Sequence, residues 1–390
     1  MSGPRLRALS VPSGIAALDV MADLQKALEG TGPALAPHAP DSAGPSIPDD
    51  LTHLPPDLAL TIGTSGSTGR PKLAMLTRLA LRASADATHA RLGGQGQWLL
   101  AMPAHHIAGI QVLVRSLVAG TNPVAMDLAE GFTAAEFVRA TGEIASGTTA
   151  YTALVPTQLV RLLASADGRV ALARYSAVLV GGAASPSSLL AEARATGIRV
   201  VTTYGMSETA GGCVYDGLAL DGSLVRLEDD GRIRLGGATL AQGYLGELAL
   251  TAAAFSHDED GTVWFRTDDV GHLDDRGSLV VDGRVDDLIV TGGLKVAPRL
   301  VEDALAGLDA IAEAVVVGSP DAEWGQVVSA AIVLSQGNSP PTLDDVRGQL
   351  RGILPDHALP RRLTILSEFP FRGPGKHDRA ALRRLFDQGD

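Results

Sequence analysis

Leu58-Ala59-Leu60-Thr61-Ile62, then Thr64-Ser65-Gly66-Ser67-Thr68-Gly69-Arg70-Pro71-Lys72, then Leu73-Ala74-Met75-Leu76, is the stretch whose reading decides the fold. Two apolar runs of strand length flank nine residues rich in hydroxyls and glycine. Glycines let backbone N–H groups turn toward an anion, and hydroxyls and a lysine add donors. Such a loop suits a polyphosphate. It differs from the common P-loop, whose Gly-Lys-Ser/Thr ending opens a helix. Here the lysine stands three residues beyond the last glycine, behind a proline, and a second strand follows. The same composition also suits a flexible Gly/Ser hairpin, so the rest of the chain has to arbitrate.

Outward from that loop, short apolar runs alternate with helical patterns as far as residue 202. Trp98–Met102 precedes a helix near 107–119, Thr148–Tyr151 one near 156–165, and Ala177–Val180 one near 186–196; Ile198–Thr202 ends the series. Alternation of this kind predicts an α/β fold with parallel sheets flanked by helices, and ligands beyond the carboxyl ends of the strands. After residue 220, Leu224–Leu227, Ile233–Leu235, Val263–Phe265 and Leu279–Val281 read as short strands of a small antiparallel β region. From about 298 the pattern becomes a small α+β domain: helix near 298–307, strands near 311–317 and 327–334, helix near 342–352, strand near 362–366. The expected domains are 1–285, binding nucleotide and acid, and a mobile 286–390. Seven prolines between 33 and 56 read as a loose connection before the first clear strand.

Composition narrows the function. The chain has 390 residues, 45% hydrophobic and only 4% aromatic, so Leu, Val and Ala must fill the core. A net charge of −12 argues against general nucleic-acid binding. Residues 351–390 nevertheless carry eight basic and five acidic side chains. Cys213 is the single cysteine, which excludes an internal disulfide and a cysteine-rich metal site. Asp19 and Asp23 interrupt the apolar stretch after Arg5 and Arg7, so no signal peptide is expected, and no apolar run reaches the roughly 18 residues of a membrane span. A cytoplasmic protein is the expectation.

Four further segments carry chemistry. Tyr204-Gly205-Met206-Ser207-Glu208-Thr209 follows a predicted strand; a glutamate there can coordinate Mg²⁺ on a phosphate, and a tyrosine can stack on a base. Phe265-Arg266-Thr267-Asp268-Asp269 offers a carboxylate for ribose hydroxyls. Gly283-Arg284-Val285-Asp286-Asp287 falls at the domain boundary. Pro370-Phe371-Arg372-Gly373-Pro374-Gly375-Lys376 puts a lysine on a glycine-flanked loop.

In this order, the five segments resemble the adenylate-forming superfamily of acyl-CoA synthetases, peptide-synthetase adenylation domains and luciferases, over roughly residues 58–380. The resemblance implies an ATP-dependent acid–thiol ligase with ATP and CoA as co-substrates and Mg²⁺ as cofactor. It implies that Thr64, Ser65, Gly66, Ser67, Thr68, Gly69 and Lys72 hold the phosphates. Tyr204 would stack on adenine with Gly205 also in the ATP site, Ser207 would touch the α-phosphate, Glu208 would be catalytic and bind the metal, and Asp269 and Arg284 would bind the ribose. Asp286 would be the hinge and Lys376 the catalytic lysine of adenylation. Gly292, Gly293 and Lys295 would form the thioesterification loop. No protein nucleophile is needed.

A narrower resemblance joins Met102-Pro103-Ala104-His105-His106-Ile107-Ala108-Gly109 with Thr203 to Gly217. It is to short-form CoA ligases of menaquinone synthesis, which act on a benzoate bearing a succinyl arm. It implies a substrate pocket of His106, Gly181, Gly182, Tyr204, Gly205, Gly211 and Gly212, with His106 also catalytic. Arg115, on the helix after His106, is a candidate partner for the unreacted carboxylate. Another aryl- or fatty-acyl-CoA ligase and an enzyme loading a carrier protein are the alternatives. A homodimer is common in the superfamily. Only about 57 residues precede the first predicted strand, so the N-terminal subdomain reads as truncated.

Overall fold

Leu58–Gly63 and Leu73–Thr77 are strands, paired antiparallel with Gly63 opposite Leu73. The Thr64 N–H donates to the Lys72 carbonyl at 2.8 Å and closes the base of the loop between them. The structure is a computed structural model that describes residues 5–48, 54–64, 72–335, 337–370 and 377–387. Ser65, Gly66, Ser67, Thr68 and Gly69 of the loop, and Lys376, lie outside the described residues.

The chain divides into two units: residues up to 184 with 192–226 and 234–267, and residues 185–191, 227–233 and 268 onward. In the first, the hairpin belongs to a four-stranded sheet with Leu6–Ser10 and Ala34–His38, which run parallel to each other. This corrects the reading of 31–56 as a loose connection. Pro37 sits in a strand because it lies opposite Leu9, past the single Leu35–Leu60 pairing on the other side, where a missing N–H breaks no ladder bond. A helix, Met21–Glu29, joins those two strands and buries Leu24 and Ala27. Among the described residues, the first strand therefore starts at Leu6.

The larger sheet has seven strands. Val124–Ala125, Gln97–Leu100, Ala150–Leu154, Ala177–Gly181 and Val200–Met206 are parallel neighbours in that order. Gly211–Tyr215 and Leu218–Ala219 continue it antiparallel. The strand expected to stop at Thr202 runs on to Met206, because the returning strand pairs with it. Gly205 lies opposite Gly212, and a side chain at Gly205 would strike the Gly211 carbonyl at 2.1 Å. Two helices cover this region. Arg78–Leu92 starts on Thr77, whose hydroxyl accepts the Ala80 N–H at 3.0 Å. Ile107–Ala119 is apolar almost all round and accordingly buried from Gly109 to Ser116. Trp98, Tyr151, Tyr215 and Phe137 are the bulkiest fully buried side chains.

In the second unit, Ile311–Asp321 and Gly325–Leu334 form a long antiparallel pair, extended by Ile289–Thr291 and Leu294–Val296. Arg362–Ile365 runs parallel to Gly325–Leu334. Side chains alternate across the pleat. Val316, Val328 and Ile332 meet the helices Pro298–Ala306 and Leu343–Leu350, whereas Val315, Val317 and Ala331 meet Leu382 and Phe386 of the helix Arg379–Asp387. Helices on both faces of a small mixed sheet match the α+β reading. Among the described residues, no helix is long and apolar enough to cross a membrane.

Candidate active site

The loop base is tied to the turn that carries Glu208. Residues 207–209 form one turn of 3-10 helix between Val200–Met206 and Gly211–Tyr215. The Ser207 hydroxyl donates to the Gly63 carbonyl at 3.4 Å, at the very end of the hairpin strand. The segment 241–245 then closes around both. Its Gln242 and Leu245 N–H groups donate to the Met75 and Leu73 carbonyls, at 2.9 and 2.8 Å, and its Ala241 N–H donates to the Glu208 carbonyl at 2.8 Å. Tyr244 is the centre of this arrangement. Its hydroxyl donates to Glu208 Oε1 at 2.9 Å, and the Lys72 ammonium lies 5.2 Å from its ring centroid. Glu208 and Tyr244 are both buried, 7% and 4% exposed. A buried carboxylate and the lysine that ends the 64–72 segment thus meet the same tyrosine, one at its hydroxyl and the other at its ring.

Tyr204 and Gly205 lie within the strand leading to this turn, Tyr204 opposite Val214. Gly181 and Gly212 both face Thr203: an added β-carbon would sit 2.1 Å from its hydroxyl at Gly181 and 3.1 Å from its Cβ at Gly212. Their missing side chains accommodate Thr203 first. Gly182 and Gly211 adopt φ of +79° and +94°, the left-handed region.

On the neighbouring helix, His106 is the N-cap residue of Ile107–Ala119, and its ring centroid is 4.2 Å from that of His105. Burial, then the neighbouring His106 and His38, hold the His105 imidazole down to about 4. Arg115, two turns further along, is 3% exposed and does not face solvent. Its guanidinium donates to the Tyr215 hydroxyl at 3.3 Å and lies 5.0 Å from the Trp98 ring centroid. Its Nε is buried without a hydrogen-bond partner, and among the described residues it pairs with no carboxylate. Cys213, 1% exposed, is core; burial pushes its thiol up to about 12.

The remaining candidates belong to the second unit. Asp269 pairs in register with Arg284, whose guanidinium reaches Asp269 at 3.7 Å and Asp268 at 3.2 Å. Asp286 is exposed on a single 3-10 turn, Val285–Asp287, and its neighbour Asp287 accepts from Arg383 at 3.0 Å. Gly292 and Gly293, both at positive φ, form a two-residue turn between Ile289–Thr291 and Leu294–Val296, the geometry two glycines favour. Trp324 packs there: a β-carbon on Gly292 would lie 2.8 Å from its ring. Lys295 is exposed on the outgoing strand.

Tyr244, Gln111 and Ser84 escaped the sequence reading. Tyr244 lies on a segment bridged to the hairpin by one isolated pairing, Ala74–Tyr244, too short to leave a periodic pattern.

Comparison with known proteins gives these residues a setting. The signature described as AMP-binding enzyme matches residues 19–245, and the AMP-binding enzyme C-terminal domain matches 300–376. A Mycobacterium tuberculosis protein named probable 2-succinylbenzoate–CoA ligase is 46% identical over 391 residues, covering 98% of each chain. A 2-succinylbenzoate–CoA ligase of Listeria innocua is 32% identical over 355 residues, 85% of this chain and 73% of that protein. Among solved structures, the Bacillus subtilis o-succinylbenzoate CoA synthetase in complex with its acyl-adenylate intermediate superposes with TM-score 0.74 at 24% identity, covering 98% of this chain and 89% of that one. That last likeness is one of fold.

Proposed function

We propose that this chain, which belongs to the AMP-binding enzyme family, joins 2-succinylbenzoate to coenzyme A through an acyl-adenylate, releasing AMP and pyrophosphate. The near-full-length 46% identity to a protein of that name supports the substrate. The observation that carries the chemistry is the cluster of Glu208, Tyr244 and Lys72 at the base of the 64–72 loop.

A carboxylate is a poor acyl donor because its charge repels nucleophiles and its oxygen leaves badly. In the first half-reaction a carboxylate oxygen attacks the α-phosphorus of ATP and the bond to the β-phosphate oxygen breaks. Thr64, Ser65, Gly66, Ser67, Thr68, Gly69 and Lys72 hold the departing phosphates in this reading. Tyr204 and Gly205 seat the adenine, Ser207 meets the α-phosphate, and Asp269 with Arg284 takes the ribose. Lys376 contacts the α-phosphate and the reacting carboxylate, where it offsets their repulsion.

The donors present fit magnesium. Glu208 offers one buried carboxylate, and no group of three ligating side chains occurs among the described residues. Magnesium is commonly held by one or two carboxylates plus substrate phosphates. Bound there by Glu208, it would supply Lewis-acid polarisation of the phosphate oxygens. The Tyr244 hydroxyl orients that carboxylate.

In the second half-reaction the CoA sulfur attacks the adenylate carbonyl, the carbon–oxygen bond to AMP breaks, and the thiol proton is lost. Lys376 and an entering thiol cannot serve one carbonyl in a single arrangement. The domain 286–390 therefore turns about Asp286, and Gly292, Gly293 and Lys295 replace the lysine loop. On the acid side, His106, Gly181, Gly182, Gly211 and Gly212 line the ring pocket. Arg115, a buried cation lacking a carboxylate among the described residues, pairs with the unreacted benzoate carboxylate. A cytoplasmic location and a homodimer complete the proposal.

The test is acid-dependent pyrophosphate release and thioester formation with 2-succinylbenzoate, benzoate and a medium-chain fatty acid, each with CoA and with a carrier protein. Preference for 2-succinylbenzoate and CoA is expected. Preference for another acid, or for the carrier protein, overturns the assignment; no adenylate from any acid overturns the chemistry.

A further inference from the structure

Ala210, two residues beyond Glu208, adopts φ 51° and ψ 38°. A residue with a β-carbon keeps that left-handed conformation only where its surroundings impose it. The restraints are two side chains from two helices. Ser84 Oγ donates to the Ala210 carbonyl at 2.9 Å, and Gln111 Nε2 donates to the same oxygen at 2.5 Å. Both side chains are fully buried. Thr209 locks the turn from inside: its hydroxyl accepts from the Met206 N–H at 2.9 Å and donates to the Gly211 carbonyl at 2.7 Å.

Gln111 is an uneconomical residue for packing alone. Its Oε1 is buried without a hydrogen-bond partner. An orphaned buried acceptor destabilises a fold, and an apolar side chain of the same length would avoid it. Without Gln111, the Ala210 carbonyl would still receive the Ser84 hydroxyl. The second bond is therefore not needed to satisfy the carbonyl; what it adds is direction. Gln111 also sits just over one turn into the helix that begins after His106, and a β-carbon on Gly211 would lie 3.3 Å from its Cγ.

We infer that Gln111 is a positioning residue for Glu208, fixing through Ala210 the turn that aims the metal-binding carboxylate and linking it to the helix of the acid pocket. The inference rests on the function proposed above, in which Glu208 takes the magnesium of ATP. Outer partners of a metal ligand typically alter affinity about tenfold or more when removed.

The test uses Mn²⁺ as a paramagnetic stand-in, titrated into full-length protein with ATP and followed by water-proton relaxation. Gln111→Leu and Gln111→Met should bind the Mn²⁺–ATP complex about tenfold more weakly than wild type. Their affinity for ATP in EDTA and their thermal unfolding midpoints should not fall. Unchanged Mn²⁺–ATP affinity overturns the inference. So does an equal loss of metal-free ATP binding, or a lowered unfolding midpoint in both variants, which would assign Gln111 to folding. A wild-type protein that binds Mn²⁺–ATP but adenylates no acid would overturn the ligase proposal and leave this inference standing.

Discussion

Acid should weaken this fold in part through His89. Its side chain is 4% exposed, and its Nε2 accepts the Trp98 indole N–H at 3.3 Å. Protonation there would break that bond and set a second cation near Arg115. Burial first, then the charge of Arg115, hold the imidazole down to about 4, against an ordinary 6.5. The folded group thus binds its proton less readily than the unfolded one. Its effect is negligible above pH 6.5, grows as pH falls through 6.5, and levels off near 4. At pH 5 the two values give a loss of about 2 kcal/mol, and at pH 7 about 0.2 kcal/mol. Out of a typical total of 5–15 kcal/mol, that is readily measured. His89→Gln keeps an acceptor for Trp98 and removes the titration. Denaturant unfolding of wild type and variant at pH 7, 6 and 5 isolates the effect of His89, because His105, also held down to about 4, contributes to both proteins. The stability difference should move by about 2 kcal/mol in favour of the variant between pH 7 and pH 5. A difference that stays constant over that range would mean that His89 titrates normally, and the account of its burial beside Arg115 would fail.

Tyr244→Phe removes the phenol from Glu208 while leaving the ring under Lys72. Loss of a hydrogen bond to a charged group, about 1.5–3 kcal/mol, should cut kcat/KM for adenylation at least tenfold; pyrophosphate release measures it, and thioester formation from supplied acyl-adenylate should hold within about twofold. Arg115→Met should raise KM for 2-succinylbenzoate about tenfold or more without changing KM for ATP, since only a paired carboxylate would feel the loss. The same variant should unfold no earlier than wild type, because a buried cation without a counter-charge adds little stability. Lys376→Ala should abolish adenylation and spare the thioester half-reaction, with single-turnover assays of each half deciding; equal loss of both would refute the division of labour.

The hairpin and the parallel series were legible because each strand carries its own signal. Leu58–Ile62 and Leu73–Leu76 are apolar runs bounded by turn residues, and Ala177–Val180 is a continuous apolar run that the structure buries along its whole length. The first strands were not legible. Leu6–Ser10 alternates weakly, and Ala34–His38 contains a proline that only its pairing partners excuse. At the site, Thr64, Lys72, Ser207 and Glu208 could be named from residue type and order. Tyr244 could not, since its importance arises from an isolated bridge to Ala74 across 170 residues of chain. Arg115 was visible as a basic residue on an apolar helix, but its burial depends on Trp98 and Tyr215, which arrive from other strands. Periodicity reports how an element meets the core; it does not report which distant polar groups meet each other there.

The enclosed thiol of Cys213 has a practical consequence. A reagent that needs thiolate would pass over this chain at neutral pH. A cysteine engineered at an exposed position, such as Leu385 on the last helix, would then be the sole attachment point for a dye. Fluorescence from that single label, recorded as ATP, acid and CoA are added in turn, would test the proposed rotation about Asp286 without first rebuilding the protein's own chemistry.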